Sequence, residues 1–329
     1  MGAAPVVDDP AMIHVYDVLR LLAPSNLTVL ISGETGVGKE VAARELHLRS
    51  SRAAGPFVAI NCASLPEALV ESELYGYEKG AFSGATGSKA GRLETAIGGT
   101  VFLDEIGELS ATAQAKLLRA LETRRASRVG GLKEYELDVR VVAATNRDLQ
   151  AEVQAGRFRE DLYFRVNGAS LTLPPLRERP RELAVFARRF LGRACAEAGR
   201  DPPLLSAQVM ACLEAYRWPG NVRELKNEME YLAATVQAPV ISPEHLSERF
   251  TDAGPRAMLA SSRASETQPP SAFRPLADEI RELEQRRMRE ALAASGGVQT
   301  LAAQLIGMPI RTFTWKYKLY ALGDREARS

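Results

Sequence analysis

The amino-acid sequence predicts an α/β fold with a parallel sheet, followed by a helical region and then by a second, small all-α unit. Three observations support this prediction. Short apolar runs alternate with helical patterns up to about residue 175, strand patterns then stop, and a polar segment separates the last helical stretch from the rest.

The sheet is predicted from four short apolar runs rich in β-branched residues. They cover residues 27–31, 58–61, 100–103 and 139–144, and helical patterns lie between them. Buried strands that alternate with helices are typical of a parallel sheet covered on both faces. We therefore assign residues 8–176 to an α/β subdomain.

Residues 177–250 show only helical patterns, interrupted at proline-containing turns, and we predict a helical subdomain without strands. Residues 251–275 are rich in Ala, Ser, Pro and polar side chains, which predicts a flexible linker. Helical periodicity returns over residues 276–323, which we assign to a separate unit.

Composition and charge argue against several classes of protein. With 46% hydrophobic and 25% charged residues, most of the 329-residue chain is expected to fold, and a formal net charge of +1 restricts nucleic-acid contact to a local patch. The three cysteines and three histidines are scattered, which argues against a disulfide framework or a zinc site. Without an apolar run of about 20 residues or a signal-peptide pattern, we expect a cytoplasmic protein.

A glycine-rich loop follows the first predicted strand and precedes a helical pattern. Residues 33–39 fit G-x-x-x-x-G-K, in which glycines let backbone N–H groups face phosphates and the lysine reaches the terminal phosphates. This context favours an ATP site over a turn without a ligand. The candidate residues are Gly33, Glu34, Thr35, Gly36, Val37, Gly38, Lys39 and Glu40.

Two carboxylates end the third predicted strand, in the pattern known as Walker B. Residue 40 is Glu where phosphate loops usually carry a Ser or Thr ligand to Mg²⁺, so we expect Asp104 to hold the Mg²⁺ shell. Glu105 is expected to polarise the attacking water. An acidic pair after a strand is also common in surface loops. The phosphate loop at residues 33–39 favours a catalytic role for this pair.

A polar pair, Thr145 and Asn146, ends the fourth predicted strand. The carboxyl ends of parallel strands are where open α/β sheets bind ligands, so these residues could contact the γ-phosphate or position water. The alternative for Asn146 is a helix N-cap.

The ordered segments together resemble the AAA+ domain of bacterial sigma-54-dependent activators, the enhancer-binding proteins. The resemblance covers about residues 8–250 and resumes over 276–323. It rests on GETGVGKE, INCASLPEALVESELYGYEKGAFSGA, GGTVFLDEIGELS, VRVVAATNRDL, FREDLYFRVN, LPPLRERPREL and WPGNVRELKN. It implies a P-loop NTPase with a parallel sheet and an α-helical lid, and it makes Glu40 part of the family's own phosphate loop.

The segment GAFSGA places a phenylalanine among small residues. Its residue types fit either a mobile loop with an apolar tip or a tight turn that tucks Phe82 into the core. The resemblance implies the loop that contacts the sigma-54 factor, in which Ser83 replaces the usual Thr. The loop comprises Gly80, Ala81, Phe82, Ser83, Gly84 and Ala85.

Four further residues receive roles from the resemblance. Arg159 and Arg165 resemble an arginine-finger pair that completes a neighbouring subunit's site, which requires a ring. If both lay on one helix, they would be about 120° apart around its axis. Arg223 resembles the lid arginine called sensor II, and Asn61 resembles the residue that restrains the catalytic glutamate. Residues 128–131 resemble a second loop that moves with the first.

The C-terminal unit is predicted to contain helices at 279–294, 300–306 and 310–319. A short turn containing glycine joins the last two, as in a helix-turn-helix. Residues 296–329 hold five basic and two acidic residues. The unit resembles a Fis-type DNA-binding domain, although Trp315 interrupts the recognition helix, and a protein-interaction module is the alternative. The candidate DNA contacts are Arg311, Thr312, Thr314, Lys316 and Lys318.

These features predict a sigma-54-dependent transcription activator. In this hypothesis the C-terminal unit binds enhancer DNA and, by resemblance, dimerises through its first helix. The AAA+ domains form a ring, by resemblance a hexamer, and ATP hydrolysis remodels sigma-54 RNA polymerase. Two alternatives stay open: another AAA+ remodelling ATPase that does not act on sigma-54, and a DNA-binding regulator that uses nucleotide only as a switch.

Overall fold

The computed structural model describes residues 5–64, 67–82, 84–251 and 276–320. The chain divides into two compact units, Met1–Ala257 and Met258–Ser329. Residues 252–275 of the predicted linker and Ser83 of the predicted sigma-54 loop lie outside the described residues. Where the structure describes the chain, it contains no helix that is both long and apolar enough to cross a bilayer.

The first unit is built on a five-stranded parallel sheet, which confirms the predicted α/β class. The strand order is β2-β5-β8-β1-β9. These strands are β1 (Val29–Ser32), β2 (Phe57–Asn61), β5 (Thr100–Asp104), β8 (Arg140–Thr145) and β9 (Ala169–Thr172). The sequence patterns do not locate β9, because four residues at an edge carry too little alternation to be recognised.

Helices cover both faces of the sheet. Along β5, Leu103 packs into the core on one face and Phe102 into the core on the other. The helices of this region are α1 (Pro10–Leu22), α2 (Lys39–Leu48), α3 (Glu67–Tyr75), α4 (Arg92–Thr95), α5 (Ala111–Thr123), α6 (Leu149–Gln154) and α7 (Glu160–Val166).

Two short hairpins extend from the sheet region, and the sequence patterns do not predict them. One pairs β3 (Gly76–Tyr77) with β4 (Lys89–Ala90), and the other pairs β6 (Arg125–Ser127) with β7 (Glu134–Glu136). Their strands have only two or three residues, too few for a period-2 pattern. The segments that they enclose are the two predicted loops around residues 80–85 and 128–131.

The lid consists of α8 (Pro180–Glu197), α9 (Ala207–Ala215), α10 (Asn221–Thr235) and the short α11 (Glu248–Thr251). Trp218 is fully buried at its centre, and its indole N–H donates to the carbonyl of Leu213 at 2.7 Å. The expectation that strands are absent from this region is wrong. A parallel pair, β10 (Leu204–Leu205) and β11 (Val240–Ile241), closes one side, and prolines on both flanks favour extended backbone there.

The C-terminal unit contains α12 (Leu276–Ala294), α13 (Gln299–Leu305) and α14 (Ile310–Leu319). Gly296 and Gly297 both have positive φ, so they end the first helix as the sequence predicts. Phe313 is fully buried in a small core with Met288 and Ala302. The order helix, short helix, turn, helix matches the predicted helix-turn-helix.

Candidate functional site

The phosphate loop joins β1 to α2 at the carboxyl edge of the sheet. Gly36 and Gly38 both have positive φ, and a Cβ on Gly36 would lie 2.4 Å from the carbonyl oxygen of Gly220 in the lid. Gly38 is the N-cap of α2, so the positive end of that helix faces the loop. The loop therefore has the conformation that the phosphate-binding motif requires.

Lys39 is buried behind this loop. Its ammonium donates to the carbonyl of Gly33 at 3.0 Å and pairs with the Glu105 carboxylate at 3.2 Å. Only 6% of the lysine side chain is exposed, against 17% for the glutamate. The cation predicted to reach the phosphates thus contacts the predicted catalytic base in this structure.

Glu105 follows directly after β5 and has a φ of 52°, a left-handed conformation that is strained for a residue with a side chain. One carboxylate oxygen contacts Lys39, and the other accepts from the backbone N–H of Asn146 at 3.1 Å. One partner begins helix α2 and the other follows strand β8, so two separate elements fix the orientation of this carboxylate.

Asp104 is half-buried beside Glu105, and its carboxylate accepts from the N–H of Glu105 at 3.1 Å. Burial, followed by the charge of Glu105, raises the pKa of Asp104, and Lys39 opposes this shift. The two carboxylates share a single buried ammonium, so this pocket has excess negative charge. A divalent cation fits that charge balance.

Mg²⁺ usually binds one or two protein carboxylates together with substrate phosphates. Among the described residues, no cluster of three His, Cys, Asp or Glu side chains could hold a metal by itself. The site at Asp104 therefore suits a metal that arrives with a nucleotide.

Asn146 lies in the site, and the alternative helix-cap role is wrong. Its amide donates to the Thr35 hydroxyl of the phosphate loop at 3.1 Å. The N-cap of α6 is Asp148, whose carboxylate accepts from two backbone N–H groups. Thr145 is buried, and its hydroxyl accepts from the N–H of Arg147. Only Asn146 of the predicted pair presents its side chain to the loop.

Glu40 lies outside this cluster. Its carboxylate pairs with Arg44 one turn later on α2, and both side chains are more than half exposed. Asn61 ends β2 next to Asp104 in the sheet register. Its side-chain oxygen accepts from the N–H groups of Ala63 and Ser64, so it caps a short turn in this structure.

The lid holds the outer side of the phosphate loop through contacts that the sequence patterns do not reveal. The carbonyls of three consecutive loop residues accept hydrogen bonds from residues of the lid region, 177–250. Thr35 accepts from the Asn221 amide at 3.1 Å, Gly36 from the N–H of Val222 at 3.1 Å, and Val37 from the Arg179 guanidinium at 3.1 Å.

Glu34 adds a charged contact between the same two regions. Its carboxylate accepts from both terminal nitrogens of Arg177, at 2.7 and 3.0 Å, and from the Asn221 amide at 3.0 Å. These hydrogen bonds, Arg177 first, hold the pKa of Glu34 below its usual value. Arg223, the predicted sensor II, is exposed on the first turn of α10, and its Cβ would lie 3.2 Å from a Cβ on Gly36.

The two predicted finger arginines are both exposed. Arg159 is the N-cap of α7, and Arg165 lies in the last turn of this helix. Arg159 precedes the helix in extended backbone, so the 120° separation expected for two positions on one helix does not apply. Its guanidinium pairs with Asp161 at 2.7 Å, and Arg165 donates to the carbonyl of Leu121 at 2.7 Å. Within the described residues, neither guanidinium contacts Lys39 or Glu105 of its own chain.

The predicted sigma-54 loop is a tight turn between β3 and β4. The N–H of Gly80 donates to the carbonyl of Ala85 at 2.9 Å, and Ala85 is buried. Phe82 is 42% exposed and touches the ring of Tyr77, so the alternative in which it is tucked into the core is wrong. A Cβ on Gly84 would meet nothing within 4 Å, so this turn is open to solvent.

The second predicted loop packs directly on the first. A Cβ on Gly130 would lie 2.9 Å from the Cβ of Ala81, and the N–H of Glu78 donates to the carbonyl of Val129. Arg128 pairs with Glu94 at 2.7 Å and with Glu78 at 3.2 Å. One arginine of the second loop is therefore anchored on both sides of the first.

In the C-terminal unit, Arg311 and Thr312 are exposed on α14 and Thr314 is half-buried. The Lys316 ammonium instead pairs with Glu284 of α12, which also accepts from the Tyr320 hydroxyl. The side chain of Lys318 lies outside the described residues. The five predicted DNA contacts therefore do not form one exposed set.

Comparisons with known proteins divide the chain into three matched regions. Residues 6–172 match the model of the sigma-54 interaction domain, residues 177–262 the AAA+ ATPase lid domain, and residues 279–320 the Fis family of bacterial regulatory proteins.

Curated relatives align over nearly the whole chain. The regulatory protein AtoC of Escherichia coli is 42% identical over 317 residues, which cover 96% of this chain and 68% of AtoC. A Nif-specific regulatory protein of Azotobacter vinelandii is 44% identical over 310 residues, which cover 93% of this chain and 57% of that protein.

The solved structure of NtrX from Brucella abortus in complex with ATP resembles this chain, with a TM-score of 0.72 and 29% identity. The match covers 98% of this chain and 70% of the NtrX chain. NtrX in complex with ADP gives a TM-score of 0.71 at 30% identity, over 97% of this chain and 69% of that one.

Replacing Asp104 by Asn tests the electrostatics of the nucleotide pocket. Because the fold raises the pKa of Asp104, the folded chain binds this proton more tightly than the unfolded chain. The ionised carboxylate therefore lowers the stability of the fold as pH rises through the raised pKa. We expect Asp104→Asn to have a higher Tm than the wild type at pH 7 without nucleotide, and the difference to shrink as pH falls.

The control is Glu40→Gln, which neutralises an exposed carboxylate on the neighbouring helix. Its free energy of unfolding is expected to change by no more than about 0.5 kcal/mol, as is typical of surface substitutions, so its Tm should stay close to that of the wild type. Thermal unfolding between pH 4 and 8 measures both variants. A lower Tm for Asp104→Asn at pH 7 would contradict the charge balance described above.

Proposed function

The chain belongs to the bacterial sigma-54-dependent transcriptional activators, and we propose how its residues divide the work of an ATP-driven activator. The protein is an AAA+ ATPase with a Fis-type helix-turn-helix that regulates sigma-54-dependent transcription. The observation that supports the division of roles is the contact network at the phosphate loop. Lys39, Glu105, Asn146 and Thr35 are connected there by hydrogen bonds.

The first proposed step is an exchange of partners by Lys39. Its ammonium pairs with Glu105 in this structure, and the β- and γ-phosphates of ATP would offer it a stronger set of charges. When Lys39 turns to the phosphates, one oxygen of Glu105 becomes free. The N–H of Asn146 continues to hold the other oxygen.

Glu105 then acts as the general base. Its free oxygen accepts a proton from a water molecule while the water oxygen bonds to the γ-phosphorus and the bond to the ADP oxygen breaks. Asn146 is placed to position that water or the γ-phosphate, because its amide already contacts the phosphate loop. We assign Mg²⁺ to Asp104, where it would neutralise charge on the phosphates.

Completion of the site is assigned to a neighbouring subunit. Arg159 and Arg165 are exposed and do not contact the catalytic residues of their own chain among the described residues. An arginine supplied by another subunit stabilises charge on the transferring phosphoryl group. We therefore propose a ring, with six subunits by family resemblance.

The remaining proposed roles follow the domain order. Residues 8–176 form the ATPase subdomain, and residues 177–250 form its lid, from which Arg223 senses nucleotide. Residues 251–275 link the lid to the DNA-binding unit at 276–323. Asn61 restrains Glu105 in another nucleotide state. The segment Gly80–Ala85 delivers the motion of the ring to sigma-54 through the exposed ring of Phe82, and the second loop moves with it.

Mixing two inactive variants tests the shared site. Glu105→Gln removes the base of its own site, and Arg159→Ala removes the finger given to a neighbour. In a 1:1 mixture, about a quarter of randomly formed interfaces combine an intact base with an intact finger, so ATPase activity is expected to return.

The control for the mixing experiment is Glu105→Gln combined with Lys39→Ala, two variants defective on the same side of the interface. That mixture is expected to stay inactive at every ratio. ATPase activity is measured by phosphate release. If the Glu105→Gln and Arg159→Ala mixture also stays inactive, Arg159 does not act between subunits.

Truncation of Phe82 tests whether ATP hydrolysis can be separated from the opening of the promoter complex. Phe82→Ala is expected to hydrolyse ATP at a rate close to wild type, because the ring lies away from the network at Lys39, but to fail in opening a sigma-54 promoter complex. Permanganate reactivity of melted promoter DNA measures opening.

The matched control is Leu21→Ala, which truncates another exposed apolar side chain in the same unit. It is expected to keep both activities. Normal promoter opening by Phe82→Ala would refute the loop assignment. A wild-type chain that hydrolyses ATP but never opens the promoter would favour a different AAA+ remodelling ATPase.

A further inference from the structure

The outward face of α14 is centred on two residues. Phe313 is fully buried and fixes the inward direction of this helix. At 100° per residue, Arg311 and Trp315 each lie within about 20° of the opposite direction. Arg311 is exposed, and Trp315 is 61% exposed. The arginine and the tryptophan are therefore neighbours, one turn apart, at the centre of the solvent-facing surface.

This exposure of Trp315 is unusual. Tryptophan is highly buried on average in folded proteins, and a large exposed aromatic ring often marks a binding surface. Ile310, Arg311, Thr314 and Trp315 together line an open groove of about 430 Å³. The rim of this groove thus combines a cation, a hydroxyl and an apolar ring.

The helix that carries this face is held firmly. Glu284 of α12 accepts from Lys316 of α14 and from the hydroxyl of Tyr320, the residue after this helix. Lys316 is consequently only 18% exposed, and its charge is compensated within the unit. A helix that is fixed by such contacts can present one set of side chains in a constant orientation, as recognition of a base sequence requires.

We propose that Trp315 reads DNA sequence directly, by packing its indole against the 5-methyl group of a thymine in the major groove. The inference rests on DNA binding by the C-terminal unit. In a helix-turn-helix, the exposed face of the second helix enters the major groove, where the thymine methyl is the apolar feature of the base edges. The helix Ile310–Leu319 contains no acidic residue, so its charge also suits DNA.

Arg311 has the complementary role on this face. Its guanidinium is placed to contact a phosphate or a guanine edge one helical turn from the indole. Lys316 is removed from the set of direct contacts, because its ammonium is engaged with Glu284. Specificity then depends on Trp315 and Arg311 rather than on a row of lysines.

The experiment uses the full 329-residue chain and a duplex that the wild type selects from a randomised DNA pool. Each thymine of that duplex is replaced in turn by deoxyuridine, which removes only the 5-methyl group. The wild type is expected to bind about three- to fivefold more weakly at one thymine per half-site, the effect of about one buried methyl group. Fluorescence anisotropy at fixed salt measures each Kd.

Trp315→Ala is expected to bind the selected duplex about tenfold more weakly and to lose the difference between thymine and deoxyuridine at that position. Trp315→Phe is expected to keep part of the difference. The control is Leu305→Ala, another exposed apolar side chain of this unit, on α13, which should keep the wild-type difference. Circular dichroism checks that each variant remains helical.

Three results would overturn the proposal even if the unit binds a specific DNA sequence. The wild type could be insensitive to every thymine replacement, or Trp315→Ala could keep the full sensitivity. Sedimentation could also show that Trp315→Ala reduces self-association and leaves DNA affinity unchanged, which would make the face a protein interface. Failure to select any sequence would instead refute specific DNA binding by the unit, and with it this inference.

Discussion

The nucleotide site depends on the attachment of the lid to the outer side of the phosphate loop. Three consecutive loop carbonyls, from Thr35 to Val37, accept hydrogen bonds from the lid region. The N–H groups of such a loop face the phosphates, so the same peptide units contact nucleotide on one side and lid on the other. We propose that a change in nucleotide state acts on the lid directly through these peptide units.

On the inner side of the loop, the predicted catalytic residues contact one another. Lys39 neutralises Glu105, and Glu105 adopts a left-handed conformation that its neighbours must stabilise. Asp104 lies beside this pair with a raised pKa. In the proposed mechanism, the phosphates of ATP offer a new partner to Lys39, and a divalent cation at Asp104 would offset the excess negative charge. In this proposal, the binding of ATP and the release of Glu105 to act as a base have the same electrostatic cause.

Local patterns predicted four of the five strands of the large sheet and the polar motifs that follow three of them, because each of these apolar strands leads directly into its motif. The lid contacts could not be predicted in the same way. Arg177 is 143 residues from Glu34, and Asn221 is 187 residues from it, so only the folded chain brings them together. Lys316 was predicted to contact DNA because the sequence does not show its ion pair with Glu284, which lies on another helix.

The most direct test of the lid attachment is the ATP affinity of Asn221→Ala, with Asn227→Ala on the exposed side of the same helix as control. The Asn221 amide contacts both Glu34 and Thr35, so its loss is expected to weaken ATP binding about tenfold while Trp218 fluorescence still reports a folded lid. Asn227→Ala should bind ATP like the wild type. A folded Asn221→Ala chain with wild-type ATP affinity would contradict the account.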